Sequence, residues 1–189
     1  QLPGEYMVQP EWRERLEASL DRLGGRHWFA LLHLGVMRLE AFDDAGAERA
    51  WRESLALNPN PWALRNLACL ATRHGDASAA LHLLQEAWAI ASPVARRALV
   101  TEYLDALCAV GRFAEGAEAL AALPAEAFDD DRVQIRRGEI ALALGDYETV
   151  EAVLDRDYAV IREGENALTD LWNELCAQRE SARSGAPLD

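Results

Sequence analysis

The four histidines are the first side chains in this sequence to consider for catalysis or metal binding. They are His27, His33, His74 and His82. None belongs to an HExxH motif, and a Gly-Asp turn separates His74 from His82, which places those two on different helices. The sequence also lacks a phosphate-binding glycine-rich loop and a GxSxG nucleophile elbow. We therefore expect exposed or packing histidines, no cofactor, no metal and no enzymatic activity.

Two acidic runs, Asp43-Asp44 and Asp129-Asp130-Asp131, each stand just before a predicted helix. Carboxylates in that position accept bonds from unpaired backbone N–H groups and offset the positive end of the helix dipole. An EF-hand calcium loop would need alternating acidic ligands and a distal glutamate, which neither run has. The runs therefore predict helix caps.

The three cysteines, Cys69, Cys108 and Cys176, are odd in number, far apart and not arranged as CxxC pairs. This pattern predicts neither a disulfide framework nor a zinc site. It fits small apolar side chains in a reducing, cytoplasmic protein.

Composition narrows the function classes further. Half of the 189 residues are hydrophobic, which is enough for a packed core, and the net charge of -13 disfavours a nucleic-acid partner. No run of about 18 apolar residues is present, so we expect no membrane span. The first residues lack the features of a signal peptide, and Gln1 in place of Met suggests a piece of a longer protein or a trimmed chain.

Apolar residues recur at helical spacing along the whole chain, and strand patterns are nearly absent. Two such stripes lie near the ends of the chain: Trp12, Leu16, Leu20 and Leu23 in the first, and Leu168, Leu171, Trp172 and Leu175 in the second. Glycine and proline interrupt the runs at short intervals. The sequence predicts an all-α fold of about ten helices joined by tight turns.

The turns are periodic. Gly75, Gly111 and Gly145 are 36 and 34 residues apart, and Phe42 opens an equivalent turn 33 residues before Gly75. A period near 34 with two helices per unit is typical of the tetratricopeptide (TPR) repeat, which the chain resembles. Four units can be aligned if they start at Trp28, Pro61, Arg97 and Asp131. Two columns of this alignment, where the paired helices touch, hold mostly small residues. These columns are Gly35, Ala68, Leu104 and Gly138, and Ala47, Ala80, Gly116 and Val150.

The resemblance implies a right-handed α-solenoid of antiparallel helix pairs. Residues 1–24 would hold an N-terminal segment with a capping or partial-repeat helix, and 25–160 would hold four degenerate repeats. Residues 161–180 would form a C-terminal capping helix, and 181–189 a flexible tail. Terminal caps are expected because each repeat can bury its apolar face only against a neighbouring repeat.

The resemblance also implies a binding surface on the inner, concave face of the solenoid. The candidate residues on that face are Phe29, Trp62, Arg65, Asn66, Arg132 and Arg136. Some TPR domains hold a peptide carboxylate with basic residues in these columns, but Cys69 and Glu102 stand where such clamps have Asn. An equally open alternative pairs the arginines with neighbouring glutamates. A second alternative has Phe29 and Trp62 completing the core.

The predicted function is therefore a non-catalytic protein-interaction or docking module, whose partner is a protein, a peptide or another domain of the same polypeptide. A weaker resemblance supports an alternative. The Asn58-Pro59-Asn60-Pro61-Trp62 run and Arg162-Glu163-Gly164-Glu165 look like the C-terminal TPR half of large bacterial proteins whose N-terminal domain resembles carbohydrate enzymes. The chain would then be the helical accessory region of a larger enzyme.

Overall fold

The computed structural model describes residues 7–22, 26–158 and 166–185. These residues form ten α-helices, one 3₁₀ segment and no strand, which confirms the all-α prediction and the number of helices. The helices are α1 Pro10–Leu20, α2 Trp28–Glu40, α3 Asp44–Leu57, α4 Pro61–Arg73, α5 Ala77–Ile90, α6 Pro93–Ala109, α7 Phe113–Ala121, α8 Asp131–Ala143, α9 Tyr147–Leu154 and α10 Ala167–Ser184, with the 3₁₀ segment at Ala125–Asp129. None of the described helices combines the length and apolarity needed to cross a bilayer.

The chain divides into two compact units, residues 1–99 and 100–189, and the division falls inside α6. In the first unit, α2 packs on α3, α3 on α4 and α4 on α5, while α1 packs on α2. In the second unit, α7 packs on α8 and α8 on α9, and α10 packs on both α8 and α9. In both units, helices that follow one another in the chain pack together.

Small residues allow the paired helices to approach closely, as the sequence predicted. Gly35, Ala47, Ala68 and Ala80 are all buried. Beneath Gly35 lies the fully buried ring of Trp51, whose indole N–H donates to the Leu32 carbonyl at 3.1 Å. A β-carbon on Gly35 would overlap that ring.

Four turns share one backbone geometry. Gly75, Gly111 and Gly145 adopt the left-handed conformation, and Phe42 does the same with φ of 60°. After each of them, the next N–H donates to the carbonyl five residues earlier; for example, Asp43 donates to Arg38 and Asp76 to Ala71. This closure is the Schellman motif, which satisfies the last carbonyls of a helix. The structure therefore confirms that Phe42 opens a turn equivalent to that of Gly75.

Both acidic runs cap helices, as predicted. Asp43 accepts from the Gly46 N–H at 2.9 Å at the start of α3, and Asp130 accepts from the Arg132 N–H at 2.9 Å at the start of α8. Asp76 and Asp146 do the same for α5 and α9. Each cap satisfies a backbone donor that the first helical turn leaves unpaired.

Three helix boundaries differ from the prediction. α6 begins at Pro93 rather than near Arg97, because proline fits the first helical position and the Ser92 hydroxyl caps the Ala95 N–H. α1 ends at Leu20 and not at Leu23. α10 continues to Ser184, so residues 181–184, assigned to a flexible tail, are helical.

The terminal helices bury narrower stripes than their periodicity suggested. In α10, Leu171 and Leu175 are buried, but Trp172 is 55% exposed. In α1, Leu20 is buried, but Trp12 is 43% exposed. Helical spacing marks a candidate stripe, and the width of the neighbouring surface decides how much of it is covered.

Parts of the predicted organisation lie outside the described residues. These are residues 1–6 and 23–25, residues 159–160 at the end of the proposed repeats, residues 161–165 at the start of the proposed cap, and residues 186–189 of the proposed tail.

Changing Gly35 to Ala tests the close approach of α2 and α3. Alanine is the better helix former, yet its β-carbon would overlap the Trp51 ring, so we expect a loss of about 1–3 kcal/mol in unfolding free energy. Urea denaturation measures it. Gly116→Ala is the matched comparison, because its β-carbon would mainly meet the end of the flexible Ile140 side chain. Equal losses for the two variants would contradict the special role of the Trp51 contact.

Changing Phe42 to Gly tests the strained turn. Phe42 is 84% exposed and gains little from packing, while its left-handed backbone costs about 1–2 kcal/mol, partly offset by the greater entropy that glycine loses on folding. We expect Phe42→Gly to raise the unfolding free energy by up to about 1 kcal/mol. Gly75→Ala at the equivalent turn should lower it. A destabilised Phe42→Gly variant would show that the side chain stabilises the turn.

Candidate functional site

The six candidate residues fall into the two units. Phe29 lies on α2, and Trp62, Arg65 and Asn66 lie within two turns of α4, all in the first unit. Arg132 and Arg136 lie one turn apart on α8, in the second unit. The structure therefore brings the candidates together as two separate groups.

Two of the α4 candidates are mostly buried. Trp62 is 9% exposed and belongs to the main core of the first unit, and Asn66 is 6% exposed. Trp62 therefore fits the alternative in which it completes the core, although it also borders a cleft. Phe29 is half-buried, and its ring packs edge-on against Trp28 and His33 at centroid distances of 5.3 and 4.6 Å.

Asn66 has an unusual environment for a buried amide. Its Oδ1 accepts from the Arg65 Nη1 at 3.3 Å, whereas its Nδ2 has no hydrogen-bond partner among the described residues. Arg65 is half-buried beside it. A buried donor left without a partner costs free energy, and such a group in a native protein calls for an explanation.

Arg136 on α8 forms ion pairs with Asp105 of α6 and Glu139 of α8. Burial of the guanidinium opposes its charge, but the hydrogen bonds and charges of Glu139 and Asp105 outweigh that effect and raise the pKa of Arg136. This supports the alternative that arginines pair with neighbouring carboxylates. Arg132 is exposed, and no described carboxylate forms an ion pair with it.

Cys108 is half-buried near the same charged groups. Burial of the thiol, followed by the charge of Glu139, raises the pKa of Cys108 to about 11, although Arg136 acts in the opposite direction. Since the thiolate is the nucleophilic form, this cysteine is a poor nucleophile near neutral pH. Cys69 and Cys176 are exposed.

The remaining titratable groups do not assemble into a recognisable reaction centre. No group of three or more histidine, cysteine or acidic side chains in the described ranges could hold a metal ion. His74 Nε2 lies 2.9 Å from Asp44 Oδ2, and both side chains are partly exposed near Arg73. This pair connects the end of α4 to the start of α3 across 30 residues.

A cleft of about 500 Å³ opens beside Trp62 in the first unit. We call it the tryptophan cleft; it is lined by Trp28, Asn58, Pro59, Asn60, Pro61, Trp62, Ile90, Ser92, Val94 and Ala95. Val94 is 62% exposed and Ile90 47% exposed. Two aromatic rings and two exposed aliphatic side chains thus border one concave surface.

Hydrogen bonds fix the wall of the tryptophan cleft. The Asn60 Oδ1 accepts from the Ala63 N–H at 2.8 Å, and its Nδ2 donates to the Asn58 carbonyl at 2.9 Å and to the Ser54 Oγ at 3.3 Å. The Ser54 hydroxyl in turn donates to the Trp28 carbonyl at 2.8 Å. One network therefore holds α2, α3 and the turn before α4 in place, and the cleft is preformed.

Sequence reasoning found Trp62 but missed the rest of the cleft. The signals were present as two proline-containing helix junctions, Asn58 to Pro61 and Ser92-Pro93. Their proximity depends on how the helix pairs pack, which spacing along the chain does not give.

Comparison with known proteins adds no family to these observations. No family model matches the chain, and no curated protein matches it. The TPR resemblance therefore stays a prediction.

The thiol environment predicts unequal cysteine labelling. At pH 8 we expect Ellman's reagent to modify Cys69 and Cys176 quickly and Cys108 slowly, because a pKa of about 11 leaves little thiolate there. Labelling of Cys108 should rise as the pH approaches 11. Glu139→Gln, which removes a charge that raises this pKa, should speed it. Three equal fast phases at pH 8 would contradict the assignment.

Proposed function

We propose that this chain is a non-catalytic protein-binding module whose partner segment occupies the tryptophan cleft. The observation that carries the proposal is a preformed, uncharged concavity between two tryptophans, with Ile90 and Val94 exposed at its edge. Exposed apolar surface of this kind commonly marks a binding site. Aromatic side chains in such surfaces often carry much of the binding energy.

We also propose that the helix pairs stack as a right-handed solenoid of the TPR type. Two observations support this arrangement. The four turns at Phe42, Gly75, Gly111 and Gly145 have the same backbone closure. Within each unit, the first helices of successive pairs also approach one another. In the first unit α2 contacts α4, and in the second unit Arg136 of α8 pairs with Asp105 of α6.

The cleft favours an extended apolar peptide segment over a nucleic acid or a charged small molecule. None of the side chains lining it is charged, and the whole chain carries a net charge of -13. The exposed thiols of Cys69 and Cys176 support a reducing, cytoplasmic setting.

A displayed random-peptide library, selected on the intact chain, tests the proposal with Val94→Glu as the key variant. We expect the selected peptides to be rich in aromatic, aliphatic or proline residues. They should bind the Val94→Glu variant at least about tenfold more weakly than the parent chain, a loss of about 1.4 kcal/mol, because the new carboxylate would lie at the cleft. Fluorescence anisotropy measures the affinity.

Val110→Glu is the matched control. Val110 is also an exposed valine, but it lies in the turn after α6, in the second unit. It should leave both affinity and melting temperature close to those of the parent chain. Selected peptides that bind the Val94→Glu and Val110→Glu variants equally well, or a library that yields no binder, would refute the cleft as the site.

A further inference from the structure

The N-terminal helix α1 is held to the first unit by few contacts. Leu20 is its buried residue and Leu16 is half-buried, while the Trp12 ring is largely in solvent. The residue before the helix, Gln9, makes no side-chain capping bond. Elements with little buried apolar surface open most readily from a folded protein.

The surface under α1 is an apolar groove formed by α2 and α3. Leu31 and Leu34 of α2 and Ala50 of α3 form a small buried cluster with Leu20. We call this surface the α1 groove. The cluster is separate from the main core that contains Trp51 and Trp62.

The α1 groove offers two arginines to a carboxylate, because a third arginine at its edge, Arg26, pairs with the adjacent Glu53. Arg38 donates to the Glu17 Oε1 of α1 from Nη2 at 3.0 Å and from Nε at 3.3 Å. Arg49 also borders the groove, is exposed, and forms no ion pair with a carboxylate in the described ranges. Arg38 therefore already pairs with a carboxylate of α1, whereas Arg49 can pair with a carboxylate of another helix.

The α1 helix does not fill the space beside it. A cleft of about 450 Å³ remains where α1 meets α2 and α3. It is bordered by Leu20, Leu31, Leu34 and Ala50, by the acidic residues Glu17, Asp21 and Glu53, and by the arginines Arg26, Arg38 and Arg49. A helix with larger apolar side chains or a second carboxylate would make contacts here that α1 does not make.

We propose that the α1 groove is a docking site for an amphipathic helix of a partner protein, and that α1 competes with that helix for the groove. The partner helix presents two leucine-like side chains four residues apart and a carboxylate beside the first, as Leu16, Glu17 and Leu20 do in α1. This is the helix-in-groove mode of recognition. Because α1 is tethered, it has a high effective concentration, and the partner overcomes this by filling the cleft and pairing with Arg49.

The test uses the intact chain and a fluorescent peptide with the sequence of residues 8–22 as the probe. Leu20→Glu places a charge in the apolar cluster and should release α1, so we expect this variant to bind the peptide at least tenfold more tightly than the parent chain. Ala18→Glu adds the same charge to an exposed position of α1 and should bind like the parent. Leu20→Ala is a milder change, and its affinity for the peptide should lie between those of the other two variants. It replaces Leu20→Glu in the experiment if circular dichroism shows the Leu20→Glu chain to be unfolded.

A charge exchange tests the predicted pairing. Arg38→Glu, added to the Leu20→Glu chain, should weaken binding of the peptide, and a peptide carrying Glu17→Arg should restore it. Val94→Glu should leave peptide binding unchanged, which separates this site from the tryptophan cleft. Equal affinities for the Leu20→Glu and Ala18→Glu chains, absence of rescue by the exchanged peptide, or a Leu20→Glu chain that sediments as a dimer with α1 exchanged between copies would each overturn the proposal.

Discussion

The contact between Gly35 and the buried ring of Trp51 is the constraint on which the first unit depends. A tryptophan can lie between two helices only if the facing helix presents no side chain at that level, and its N–H must find a partner, here the Leu32 carbonyl. The contact sets the separation of α2 and α3. One turn further along α3, Ser54 then reaches the Trp28 carbonyl and supports Asn60, so the wall of the tryptophan cleft follows from packing at a distance from it.

Features encoded locally could be predicted from the sequence. Gly75 and Asp76 specify a turn and a helix cap by their own conformational and hydrogen-bonding preferences, and the structure has both. Burial of Gly35 and Ala80 followed from their recurrence at one period. The turn and the cap could be predicted because their physical cause lies within a few residues of the effect, whereas the burial of Gly35 and Ala80 is a tertiary property that the repeat alignment indicated.

Features that depend on the neighbours of a helix could not be predicted in the same way. The apolar spacing of Trp62 and Trp172 is equally helical, yet Trp62 is buried and Trp172 is exposed. Periodicity identifies a stripe but not the surface that covers it. Likewise, the sequence makes Arg136 a plausible ligand-binding residue. In the structure it pairs with Asp105, which lies 31 residues earlier in the chain and could not be identified as its partner from spacing alone.

The six tryptophans also make the chain its own optical reporter. Trp51 is fully buried, so we expect it to emit at shorter wavelengths than the more exposed Trp12 and Trp172. An aqueous quencher such as iodide reaches those two and not Trp51. Trp28 and Trp88 are half-buried, and Trp62 is nearly buried at the cleft. We therefore expect wavelength-resolved quenching to distinguish loss of the core from occupation of the cleft without an added label.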